Sequence, residues 1–206
     1  GKKYSLSIEG LLGGHSGVEI HKERGNANCL LGRLLYELQE VSNVCVITAK
    51  GGAADNAIPR NASMECLVSS ESEEDFLQTI CAFEKEVKRE LSAKDSGFFV
   101  KMEALGESEE NGLNNASTLK MAYLLMSVPN GVCAYSADIE GLVQTSLNLG
   151  ILDLKDDELI LQFAVRSSLE SEKNLLAKKV EIVTKLVGGY AVVSSEYPGW
   201  AYKEDS

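Results

Sequence analysis

The stretch Leu67-Val68-Ser69-Ser70-Glu71-Ser72-Glu73 resembles a second one further on, Val165-Arg166-Ser167-Ser168-Leu169-Glu170-Ser171-Glu172. Each stands where an alternating, β-rich pattern gives way to a helical one. Each also places a serine three residues before a glutamate, Ser70 before Glu73 and Ser167 before Glu170, which is the spacing of a capping box. A boundary repeated in this way points to an internal duplication.

The flanking segments follow the same order. In the first half, Tyr4, Leu6 and Ile8 alternate with polar residues at strand period, and Leu30, Leu31, Leu34, Leu35 and Leu38 recur at helical spacing behind Asn26 as N-cap. Strand patterns at 44–50 and 62–69 then form an antiparallel pair, and a helix follows through Phe76, Ile80, Phe83, Val87 and Leu91. In the second half, 98–104 is strand-like, Asn115 caps a helix through Leu119 and Leu124, and 132–135 is a strand. Segments 143–152 and 158–166 make a hairpin around Lys155-Asp156-Asp157, a helix runs through Leu176, Val180 and Leu186, and Tyr190 to Ser195 reads as a closing strand. Strand, helix, strand, strand, helix, strand is the order of the ferredoxin-like split βαβ unit. The expected fold is α+β: two tandem ferredoxin-like units, residues 1–93 and 94–206, with antiparallel sheet and helices packed on one face.

Composition narrows the function. The chain has 206 residues and a net charge of -11, which disfavours nucleic acid and anionic membrane surfaces as partners. Its five cysteines form no Cys-x-x-Cys pair and read as buried thiols in a reducing compartment, so a cytoplasmic location is expected. No apolar run approaches a membrane span.

Chemistry concentrates in the run Gly13-Gly14-His15-Ser16-Gly17-Val18-Glu19-Ile20-His21-Lys22-Glu23-Arg24-Gly25-Asn26-Ala27-Asn28. Glycines around His15 fit a loop that brings its backbone close to something, with the histidine in a cleft; a mobile surface loop is the simpler alternative. His15 and His21 are six apart, off helical metal-site spacing, and no third ligand stands near. Asn56 lies in Asn56-Ala57-Ile58-Pro59-Arg60, where Pro59 stiffens a strand entry and Arg60 reads as an exposed loop charge. Arg166 ends an otherwise apolar strand and needs a carboxylate, a phosphate or water, supplied by an internal ion pair or by a ligand.

Together these motifs, with Gly141-Leu142-Val143-Gln144-Thr145-Ser146-Leu147-Asn148-Leu149-Gly150 and the terminal Tyr197-Pro198-Gly199-Trp200, resemble the lid domain of aminoacyl-histidine dipeptidases. These are cytosolic, peptidase D-like zinc enzymes of the aminoacylase, carboxypeptidase G and carnosinase superfamily. The resemblance implies a lid inserted in a catalytic domain that carries two zinc ions and a glutamate base. This segment itself would hold no metal and be inactive alone, and its partners would be that catalytic domain, a dipeptide substrate and, in a homodimer, a second copy. It implies that His15 binds the scissile carbonyl oxygen, that Asn56 hydrogen-bonds substrate and that Arg166 grips the substrate carboxylate. Simpler members of the superfamily carry that arginine where this chain has Val68 and Ser69, and take the histidine from a partner subunit. Two fused lid units would imitate that dimer, with His15 from one and Arg166 from the other serving one site. A free-standing ferredoxin-like binding or interaction module is the other reading of the chain.

Overall fold

The computed structural model describes residues 1–194. In chain order its elements are β1 (Lys2–Glu9), β2 (Gly14–His15), α1 (Ala27–Val41), β3 (Cys45–Gly51), β4 (Ala57–Ile58), β5 (Ala62–Val68) and α2 (Glu73–Glu90). They continue with β6 (Phe99–Glu107), α3 (Asn115–Ser127), β7 (Gly131–Tyr135), β8 (Val143–Lys155), β9 (Glu158–Ser167) and α4 (Glu170–Leu186). A short 3-10 turn, Ile20–Lys22, lies between β2 and α1.

One antiparallel sheet of seven strands runs through the described residues. Its order is β6-β1-β5-β3-β8-β7, and β9 pairs with β8. The alternation in β1 is the alternation of the fold, since Tyr4, Leu6 and Ile8 are buried, as are Ala62, Met64, Cys66 and Val68 of β5. These side chains meet Leu31, Leu34, Leu35 and Leu38 of α1, Phe76 and Phe83 of α2 and Met121 and Leu125 of α3 in one core. Leu147 of β8 packs with Leu176 and Val180 of α4. The helices therefore share one face of the sheet, and the opposite face, with Ser5, Ser7 and Ser63, is left free of helices.

The halves join through strand pairing. Ala49, Lys50 and Gly51 of β3 lie opposite Leu154, Asp153 and Leu152 of β8. The β8–β9 hairpin turns at Asp156 and Asp157, both at positive φ (52° and 63°), which gives the primed turn that matches strand twist.

Several expectations are corrected. The strand at 99–107 does not lie beside the strands of the second half: β6 pairs with β1 from Lys2 to Glu9, at the edge of the sheet next to the first-half strands. The second half then has β7, β8 and β9 between α3 and α4, without its own opening strand. Residues 190–194 form no strand, and Ser195 and the Tyr197–Trp200 motif lie outside the described residues. Neither capping box forms. Ser72, not Ser70, stands at the α2 N-cap, its hydroxyl bonded to Ser69 Oγ at 3.1 Å rather than to the helix backbone, and the Glu73 carboxylate is taken by Lys2 and Tyr4. Ser167 is bonded to Thr145 Oγ1 at 2.8 Å, and Leu169 stands at the α4 N-cap. Asn114, not Asn115, caps α3, accepting from Ser117 N at 2.9 Å. Of the cysteines, Cys66 is buried, whereas Cys81 and Cys133 are exposed.

Candidate functional site

The glycine-rich loop is held in a defined shape. β2 pairs with β4, setting Gly14 opposite Ile58 and His15 opposite Ala57, and Ser16 N donates to Asn56 O at 2.9 Å. Glu19 closes the turn from inside. Its Oε2 accepts from His15 N at 3.0 Å, its Oε1 accepts from Lys22 Nζ at 2.7 Å, and His15 O accepts from Glu19 N at 2.9 Å. The Lys22 ammonium and the His15 amide hold the Glu19 carboxyl down at about 2. Arg24 adds a hydrogen bond to Gly13 O. His15 and Asn56, 41 positions apart in sequence, thus sit on two strands zipped together, and both line an open cleft of about 1240 Å³ on the helix-free side of the sheet.

β8 anchors this overhang. Asn148, buried, donates to Asp55 O at 2.8 Å and to Ala57 O at 2.9 Å. Asn26 Nδ2 reaches Asn148 Oδ1 at 3.2 Å and Leu149 O at 3.0 Å, while Asn26 Oδ1 caps α1 by accepting from Asn28 N and Cys29 N. Asn130 Oδ1 accepts from Leu149 N at 2.9 Å and lies 3.2 Å from Asn26 Nδ2. These asparagines tie the start of α1, the loop after α3 and the middle of β8 to the strand entry that carries Asn56. The approach requires absent side chains: a Cβ at Gly150 would lie 2.4 Å from Asp55 Cα, and one at Gly52, where φ is +76°, would lie 1.7 Å from Gly150 O.

Arg166 of β9 pairs with Ser146 of β8, two residues from Asn148, so it projects on the same face. Its guanidinium reaches the histidine loop. A Cβ built at Gly17 would lie 2.9 Å from His15 Cε1 and 3.0 Å from Arg166 Cζ, so the imidazole and the guanidinium converge on one glycine from opposite halves of the chain. Both residues are exposed, and Arg166 makes no ion pair among the described residues. The internal salt bridge considered for it is therefore not formed there. His15 Nδ1 accepts from Gly17 N at 2.9 Å, which leaves Nε2 as the donor of the ring. An imidazole donor beside a fork-shaped cation with no ion pair among the described residues suits a ligand with a carbonyl oxygen and a carboxylate.

His15, Asn56 and Arg166, all proposed from sequence, lie in one region; Arg60 is exposed at the same cleft, with its Cγ 2.5 Å from where a Gly13 Cβ would be. The supporting asparagines, Glu19 and the glycine seat were missed. In the sequence Asn26 reads only as a helix cap and Asn148 only as part of the Gly141–Gly150 motif; the Asn26-x-Asn28 spacing at a helix start is the available signal. Among the described residues no three His, Cys, Asp or Glu side chains form a group that could hold a metal ion. No described helix is long and apolar enough to cross a membrane.

Comparison with known proteins agrees with this architecture. The family profile described as a peptidase dimerisation domain matches residues 6–95. The cytosol non-specific dipeptidase of Escherichia coli (strain K12) is 32% identical over 197 residues, covering 96% of this chain and 40% of that protein. The crystal structure of aminoacylhistidine dipeptidase from Vibrio alginolyticus superposes with a TM-score of 0.93 at 30% identity, over 100% of this chain and 42% of that one. The chain thus spans about two fifths of the length of these relatives. Its antiparallel sheet, its four described helices and these matches make the chain similar to a peptidase dimerisation domain over residues 6–95 and, over nearly its whole length, to the corresponding two fifths of these two dipeptidases.

Proposed function

We propose that this domain is the substrate-clamping lid of a cytoplasmic, zinc-dependent dipeptidase that hydrolyses Xaa-His and other dipeptides. The reading is supported by one observation above the others: His15 and Arg166, from different halves of the chain, converge at Gly17, with no ion-pair partner for the arginine among the described residues. In this reading the guanidinium forms paired hydrogen bonds with the C-terminal carboxylate of the dipeptide. His15 donates from Nε2 to the scissile carbonyl oxygen as negative charge develops on it, and Asn56 hydrogen-bonds the substrate from the paired strand entry. One well-placed donor of this kind lowers the barrier by about 2.7–4 kcal/mol, and it does so best when its position is fixed before reaction. The strand pairing of β2 with β4 and the Glu19 turn supply that fixation.

Metal and water chemistry would belong to a catalytic domain with two zinc ions outside this segment, and the segment alone would be inactive. A homodimer is in keeping with the dimerisation-domain match. The test is kinetic, in the full-length protein, with Ala-His as substrate. His15→Ala is expected to lower kcat by about 100- to 1000-fold with zinc content unchanged. Arg166→Lys, which keeps the charge and loses the fork, is expected to raise KM. Parental constants in both variants would refute the assignment.

A further inference from the structure

The loop that carries His15 leaves β1 at Glu9 and re-enters the fold at α1, so its two stems must be held together if the imidazole is to keep one position. The turn after α2 does this. Asp95 is 1% exposed, and its two carboxylate oxygens face the two stems separately: Oδ1 accepts from Leu12 N and Oδ2 from Gly25 N, each at 2.7 Å. Within the loop Arg24 joins the two sides through Gly13 O, but no loop side chain accepts from both stem amides. Lys94, beside it, reaches Glu23 at 2.8 Å on the far side of the loop.

The rest of the turn is built to deliver that carboxylate. Asp95 N donates to Leu91 O at 2.8 Å, ending α2, and Phe98 N donates to Asp95 O at 3.0 Å, turning the chain into β6. Gly10 holds φ at +80°, and a Cβ there would lie 1.8 Å from Gly97 O, so only glycine allows the turn to lie against the first stem.

We propose that Asp95 is a positioning residue for His15: by binding the amides at both stems of the loop, it sets the loop's reach into the cleft. This rests on the catalytic role given to His15 above. The carboxylate touches no part of the cleft, so its influence on the reaction runs only through the loop it pinches. An amide in its place can accept at one stem and must present N–H to the other amide donor, so Asp95→Asn releases one stem while preserving shape. A misplacement of about 1 Å is enough to cost on the order of 100-fold in rate.

The experiment uses the full-length protein with Ala-His. Asp95→Asn is expected to lower kcat roughly 10- to 100-fold with KM within about twofold. In a His15→Ala background the same change should alter kcat by less than about twofold, because the imidazole is gone and the Asn56 segment is anchored separately by Asn148. A merely structural residue would instead give independent, multiplying effects. Hydrogen exchange in the unsubstituted protein should show the Leu12 and Gly25 amides protected about as well as the first turn of α1. If His15→Ala is impaired and Asp95→Asn is not, or if their effects multiply, the clamp is wrong and the lid reading stands. If His15→Ala itself has parental kcat, the lid reading falls and the clamp falls with it. Unprotected Leu12 and Gly25 amides overturn the clamp whatever the fate of the variants.

Discussion

Replacing Gly17 with alanine tests the convergence of His15 and Arg166 with the smallest possible wedge. The added methyl would stand 2.9 Å from His15 Cε1, 3.1 Å from His15 Nδ1 and 3.0 Å from Arg166 Cζ. Comfortable carbon contacts lie at about 3.5–4.0 Å, so each group must retreat by roughly 0.5–1 Å. Both side chains are exposed and move more easily than the backbone, which β2–β4 pairing and Glu19 hold. The expected cost to stability is therefore within about 0.5 kcal/mol. Displacement on the order of 1 Å from productive geometry corresponds to about 100-fold in rate, or roughly 2.7 kcal/mol of transition-state stabilisation. The assay is kcat/KM for Ala-His in the full-length protein, alongside thermal unfolding. An expected fall of 10- to 100-fold with little change in Tm separates a site effect from a folding effect. A kcat/KM within twofold of the parent would show that the two side chains need not share that space.

Three further outcomes follow from the same packing. Gly51→Ala would set a methyl 1.9 Å from Asn28 Oδ1 and 2.7 Å from Ala62 Cβ, so overpacking of about 1–3 kcal/mol should lower Tm by several degrees in a calorimetric scan. Asn148→Ala leaves Asp55 O and Ala57 O without their donors; about 2 kcal/mol of lost stability and faster hydrogen exchange at Ala57 are expected, and unchanged exchange would refute the anchor. The Glu19 carboxyl, held at about 2 against an unfolded value of about 4.3, contributes to loop order above that unfolded value and loses the contribution as pH falls through about 2. Exchange of the His15 amide, followed from pH 5 down to 2, should therefore accelerate relative to core amides measured at the same pH; Glu19→Gln should remove the difference.

Much of the fold was legible because it depends on local periodicity. Tyr4, Leu6 and Ile8 announced the buried face of β1, the leucines behind Asn26 announced α1, and Asp156-Asp157 marked the hairpin. The capping boxes failed because a sequence spacing does not say who else competes for the side chains: Glu73 is drawn to Lys2 and Tyr4, and Ser167 to Thr145. The placing of β6 failed for a similar reason. It has the local pattern of a strand wherever it lies, and only the register of Leu6 opposite Met102 sets it beside β1.

The site shows the same boundary between local and distant causes. Sequence alone set out His15 among glycines and Arg166 at the end of an apolar strand, since each residue type is out of keeping with its surroundings, while Asn56 before Ile58-Pro59 came from the resemblance. Their meeting was decided by β2 pairing with β4, by β3 joining β8 and by Asn148 gripping the 55–57 segment, interactions across sequence separations that no periodicity records. Asp95 is the clearest case. In the sequence it is an acidic residue in the break after a helix; in the fold its two oxygens hold the amides of Leu12 and Gly25, one at each stem of the loop.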